Sequence, residues 1–111
     1  LEPEAPAVDR PPPEIELAVF RIVQESVDNA VRHARATAIA IEATIDPRRV
    51  RASVTDDGRG ISDGSARRAI REGHFGLVSM SQRAALIGAD LRVEPARPHG
   101  TRVTVEWDSD R

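Results

Sequence analysis

Cysteine is absent from the 111 residues, which excludes a disulfide framework and a cysteine-based zinc site as sources of stability or chemistry. An excess of positive charge is also missing. The formal charge is −2 at pH 7, so no global field is available to hold a polyanion, and no nucleic-acid partner is expected. No apolar run approaches the roughly eighteen residues of a membrane span, and the start lacks a basic stretch leading into an apolar one. This segment is therefore not expected to touch a membrane directly.

What is present describes one ordinary folded domain: 40% hydrophobic and 31% charged residues, in a chain long enough for a single core and too short for two. The lack of cysteine fits a cytoplasmic location. Because the sequence begins at Leu1 rather than at methionine, it reads as a piece of a longer protein, and that parent could be membrane-anchored. Proline gathers at the front, where Pro3, Pro6, Pro11, Pro12 and Pro13 would defeat both helix and central strand. Residues 1–13 are read as an extended arm and 14–111 as the domain.

From Glu14 to about Ala34 apolar Val19, Phe20, Val23, Val27, Ala30, Val31 and Ala34 recur at spacings of three and four, which predicts a helix buried along that stripe. Ile39, Ile41, Ala43 and Ile45 alternate, Asp46-Pro47 supplies a turn, and Val50, Ala52 and Val54 alternate in turn. An antiparallel hairpin is predicted. The phase of its second strand carries the apolar face onward to Asp56. Glycines at 58, 60 and 64 interrupt regular structure, and Ser65 to Arg71 could form a short polar helix. Gly76 to Gly88 predicts a second amphipathic helix with Leu77, Met80, Ala84 and Ile87 inward and Gly88 at its C-cap. Two final strands follow, around Leu91 and Val93 and then Val103, Val105 and Trp107, joined by Pro98-His99-Gly100.

Three groups of residues carry chemistry. On the first helix, at roughly 100° per residue, Glu25, Asn29 and Arg32 share one narrow sector opposite the predicted stripe. A carboxylate, an amide oxygen and a guanidinium suit a magnesium ion with its phosphates, although a solvated face with an internal ion pair explains the spacing as well. In Asp56-Asp57-Gly58-Arg59-Gly60 alternate glycines after a strand-end acid let backbone approach a flat ligand, and a buried carboxylate needs donors such as the exocyclic amine of adenine. Asp57 would point the other way. A plain glycine turn is an equal explanation of that motif alone. Thr101, after Gly100, shares the inward phase of Val103, and the first amides of the helix after Gly76 could face a phosphate. His74 and His99 sit beside glycines in loops and are poor ligands for a preformed metal site.

Taken in order, Glu25 to Ala34 (ESVDNAVRHA), DDGRG, GHFGL and GTRV resemble the gyrase, Hsp90, histidine kinase and MutL ATPase superfamily. RIVQE before the first of these, and GHFGL followed by M and RA, are most similar to histidine kinases of the nitrate-sensor type. The resemblance covers about Glu14 to Trp107. It implies the Bergerat fold, an α/β (α+β) two-layer sandwich in which helices cover one face of a mixed sheet and ATP lies between helices and a mobile lid. It implies that Asn29 holds Mg2+ bridging the phosphates, with Glu25 beside it as ion ligand or polarising base. Asp56 would bind the adenine amine, Gly58 and Gly60 would shape the adenine end, and Arg32 and His33 would lie near phosphates or ribose. Thr101 would support the Asp56 network, and Gly76 and Leu77 would close the phosphate side.

The implied activity is that of a kinase catalytic domain donating the γ-phosphate of ATP to a histidine on the dimerisation and histidine-phosphotransfer domain of the same parent, with a response regulator downstream. None of His33, His74 and His99 lies on a dimerisation-type helix, so the nucleophile is expected from outside these residues. Ile61 to Phe75 is short for a lid and lacks a phenylalanine-rich box. The first strand of the family would lie before the proline arm, so that residues 1–13 hold at most its remnant near Leu1. An anti-sigma-factor serine kinase of the same fold, or a non-catalytic interaction module, is the alternative; titration with magnesium-ATP separates the module from both kinases.

Overall fold

The computed structural model describes residues 10–58 and 76–110. The first helix, α1 (Pro13–Arg32), starts with Pro13 at its first position, where the missing N–H costs nothing. The Pro12 carbonyl receives the N–H groups of Ile15 and Glu16 at 2.9 and 3.2 Å, and Glu14 and Glu16 place negative charge at the positive end of the helix dipole. At the other end Ala36 N–H reaches back to the Ala30 carbonyl at 3.1 Å, with Arg35 in the left-handed region (φ 55°). This bond satisfies one of the carbonyls left over in the last turn.

Strands β1 (Ile39–Asp46) and β2 (Arg49–Asp56) form the predicted hairpin. Its tight turn is held by the Asp46 carboxylate, which accepts from the Arg48 and Arg49 N–H groups at 3.0 and 2.9 Å. Helix α2 (Leu77–Leu86) ends on Gly88 at φ +71°, and β3 (Asp90–Pro95) and β4 (Thr101–Asp108) complete a sheet in the order β1-β2-β4-β3. The residues 65–71, read as a short helix, lie outside the described residues. Among the described residues the chain is therefore an α/β fold with two helices on one face of the sheet, α1 over β2 and β4 and α2 over β3. Where the resemblance implies a mixed sheet, all three pairings among the described strands are antiparallel.

Ile15, Val19 and Ile22 of α1 meet Val50, Ala52, Val103, Val105 and Trp107 of the sheet and Leu77, Met80 and Ala84 of α2. The buried arc of α1 differs from the predicted stripe. Ile15, Val19, Ile22, Ser26 and Ala30 face inward, whereas Phe20 and Val31 are 57% and 61% exposed. At 100° per residue the true arc is rotated by about 80° toward the sector of Glu25 and Asn29. Ser26 is why the true arc is hard to see: its hydroxyl is buried, donating to the Ile22 carbonyl at 2.8 Å and lying 3.4 Å from the Met80 sulfur, so a polar residue completes an apolar face. On β1 the alternating residues form the predicted strand, but Ile41 and Ile45 are each 54% exposed, because β1 is an edge strand and the two described helices pack mainly on β2, β4 and β3.

Candidate functional site

The end of β2 meets the end of α1 and the start of β4. Asp56 is 8% exposed and continues the face of Val50, Ala52 and Val54, as the strand phase predicts. Its Oδ1 accepts the Gly58 N–H at 2.8 Å. Carried one step past Thr55 and Arg102, the strand register puts the half-buried Thr101 opposite Asp56. Gly100 is pressed against the same point: a Cβ there would lie 1.9 Å from the Asp56 carbonyl oxygen, at φ +120°. A Cβ on Gly58 would lie 2.4 Å from the Ala34 carbonyl oxygen, so glycine is what allows the turn to touch the end of α1. Gly60 lies outside the described residues.

Asp57 turns away, as its phase requires, and does work that the sequence did not reveal. Its carboxylate accepts the Thr37 hydroxyl at 2.6 Å and the Thr37 and Ala38 N–H groups at 2.8 and 3.0 Å, fastening the α1–β1 connection to the end of β2. The Thr37 hydroxyl first, and then the two backbone donors, lower its pKa from 3.8 to about 2. The folded value lies below the unfolded one, so the stabilisation is full above about pH 4 and is lost as pH falls through about 2. Asp57→Asn is expected to be less stable than the parent at neutral pH, the two converging as pH drops through that window in urea titrations. Parallel stability curves from neutral to acid pH would contradict the assignment.

On α1 the half-buried Glu25 and Asn29 lie one turn apart at the flank of the buried arc. Glu25 reaches the start of α2: a Cβ on Gly76 would lie 2.5 Å from Glu25 Oε2, and Gly76 has φ +68°. The carboxylate thus sits near the N-terminus of α2, where the resemblance implies phosphate. Glu25 also borders an open groove of about 550 Å³ reaching Arg83. Arg32 turns elsewhere, pairing through Nε with Asp28 Oδ1 at 3.0 Å on the exposed surface; this is the ion-pair alternative, with Asp28 as partner rather than Glu25. His33 is exposed and gives its backbone N–H to the Asn29 carbonyl. The Leu77 side chain belongs to the hydrophobic core, which leaves only its main chain to face a ligand.

His99 was passed over as a metal ligand, yet its Nδ1 lies 3.1 Å from the Gly58 carbonyl oxygen. Its position directly before Gly100-Thr101 was the available signal. Among the described residues no group of three or more His, Cys, Asp or Glu side chains is placed to hold a metal. The oxygens of Glu25 and Asn29 nonetheless fit magnesium, which keeps several waters and takes few protein ligands when it arrives with phosphates.

The structure thus shows a buried acid at the end of β2 and, on α1, a carboxylate beside the start of α2. Residues 14–111 match the family described as histidine kinase-, DNA gyrase B-, and HSP90-like ATPase, and the chain belongs to it. Within that family it is similar to sensor kinases. It is 38% identical over 92 residues to the sensor histidine kinase NarS of Mycobacterium tuberculosis, covering 83% of this chain and 21% of that protein. It is 34% identical over 89 residues to the signal transduction histidine-protein kinase/phosphatase UhpB of Salmonella typhimurium, covering 80% and 16%. A solved blue-light activated histidine kinase of Erythrobacter litoralis superposes with a TM-score of 0.72 at 26% identity, over 91% of this chain and 33% of that one. Family and relatives together define a histidine kinase-, DNA gyrase B-, and HSP90-like ATPase domain that resembles the matching part of sensor histidine kinases. The chain spans about a fifth or less of the length of these two curated relatives.

Proposed function

We infer that the surface of α1 between Asp56 and Glu25 binds magnesium-ATP with the purine at Asp56 and the phosphates along α1 toward Gly76. One observation carries this reading: a carboxylate buried at the end of an apolar strand face, with one oxygen already aimed by the Gly58 N–H. A carboxylate offers about four acceptor positions, so Asp56 can also take the exocyclic amine of adenine. Asn29 and Glu25 supply oxygens for magnesium, which when bound neutralises and bridges phosphate oxygens. Thr101 lines the Asp56 end. Arg32 and His33, at the exposed end of α1, are placed to meet ribose or phosphate only if the Arg32–Asp28 pair opens.

Transfer of the γ-phosphate then requires a nucleophile held in line with it, and we assign that role to a histidine on the dimerisation domain of the parent, with a response regulator as the next acceptor. Catalysis by this chain consists of positioning and charge neutralisation. No helix of the described residues is long and apolar enough to cross a membrane. We assign the parent's kinase portion to the cytoplasm on a separate ground, that ATP is available there.

Calorimetric titration with magnesium-ATP tests the reading. Asp56→Ala is expected to weaken binding by about 1–3 kcal/mol, the usual cost of leaving a buried polar partner unmet. Unchanged affinity would remove Asp56 from the site. Transfer is tested by adding radiolabelled ATP and the parent's two-helix domain and measuring acid-labile, base-stable phosphate on the latter.

A further inference from the structure

The Asp56 carboxylate is aimed by the N–H of Gly58, and glycine has little stiffness of its own. What fixes Gly58 must come from its neighbours, and three contacts are present. Its α-carbon rests on Ala34. Its N–H is engaged by Asp56 at 2.8 Å. Its carbonyl oxygen lies 3.1 Å from His99 Nδ1. A carbonyl only accepts, so Nδ1 must carry the proton.

The two peptide groups flanking the Gly58 α-carbon are thereby pinned from opposite sides, one by the acid itself and the other by the β3–β4 hairpin. His99 is followed by Gly100, which touches the Asp56 carbonyl, and by Thr101, which faces Asp56. Without the imidazole the second peptide group loses that restraint on rotation about the Gly58 dihedrals. The N–H that aims Asp56 would then rotate with less restraint.

We propose that His99 is a positioning residue for base selection: by holding the Gly58 carbonyl it keeps the Asp56 carboxylate directed at the purine, and so sets the preference for adenine over guanine nucleotides. The proposal rests on the nucleotide-site reading above. Adenine presents an amine donor at its six position and guanine a carbonyl acceptor. In a pose that brings position six to Asp56, a well-aimed carboxylate therefore attracts the amine and repels the carbonyl, whereas a loosely held one can reach guanine's neighbouring donors and discriminates less.

The test compares magnesium-ATP and magnesium-GTP dissociation constants for the full 111-residue chain, His99→Ala and His99→Asn. Asparagine can present its amide N–H close to where Nδ1–H lies. His99→Ala is expected to weaken ATP binding roughly fivefold to tenfold, the loss of about one hydrogen bond, with GTP binding unchanged. The preference for ATP then shrinks by the same factor. His99→Asn should restore both constants to within about twofold of the parent.

An unchanged preference in His99→Ala would overturn the proposal, even if both affinities fell together, since that is the mark of a merely structural tie. Failure of His99→Asn to recover while it melts like the parent would also overturn it. A parent chain that binds ATP no better than GTP would instead sink the nucleotide-site reading itself, before any His99 variant is measured.

Discussion

Gly100→Ala is expected to destabilise the chain by about 2–4 kcal/mol and to reduce ATP affinity with it. The new Cβ would lie 1.9 Å from the Asp56 carbonyl oxygen and 2.8 Å from its carbon. Both are backbone atoms, so no flexible side chain can yield. The φ of +120° adds strain that non-glycine residues avoid. Relief requires the hairpin to retreat from the end of β2, carrying Thr101 and His99 away from Asp56. Gly88 supplies the control. It too has positive φ (+71°), but nothing lies within 4 Å of a Cβ built there, so Gly88→Ala should cost only about 1 kcal/mol. Melting curves and ATP titrations of the two variants decide the matter, and a Gly100→Ala variant that melts with or above Gly88→Ala would contradict the close approach.

Ile22→Ala should cost about 2–5 kcal/mol, the loss of a large apolar side chain from a packed site, against a total stability of about 5–15 kcal/mol for a domain of this kind. Ile22 is 1% exposed and packs within the cluster formed by α1, the sheet and α2. Phe20→Ala, although it removes a larger side chain, should change stability by no more than about 0.5 kcal/mol because Phe20 is open to solvent. Urea denaturation of both variants measures the rotation of α1 about its axis. The reverse ranking would mean that the predicted stripe, not the observed arc, faces the sheet.

Those two residues also show what could be read from the amino acids and what could not. Element order, the β1–β2 hairpin, the Gly88 cap and the inward phase of Asp56 follow from periods of two and 3.6 and from turn chemistry, which are local. The rotation of α1 is not local. It has two apolar arcs, one through Ile15, Val19 and Ile22 and one through Leu17, Phe20, Val27 and Val31, and the sheet selects the first although Ser26 interrupts it. Ser26 is tolerated because its hydroxyl finds the Ile22 carbonyl.

On α1, the predicted helix sector holds Glu25 and Asn29, both half-buried and one turn apart. Spacing cannot reveal that Arg32 prefers Asp28, since both choices lie within one helical turn. Nor could it reveal that Asp57 and His99 tie distant segments together, because contacts between residues about 20 or 40 apart in sequence leave no periodic trace. The exposure of Ile41 and Ile45 was hidden for a similar reason: alternation reports which side a strand presents, and only the placement of the helices decides whether that side is covered.

Gly58 on the Ala34 carbonyl and Gly100 on the Asp56 carbonyl give the proposed purine recess corners drawn largely by peptide groups. Peptide groups are the same in every sequence, so surrounding side chains can diverge while the contour of the recess stays fixed. A purine mimic shaped to that contour would therefore find little to tell this protein from its relatives. Selectivity would have to be sought farther out, where the α1 surface carries residues such as Arg21, Gln24 and Asp28.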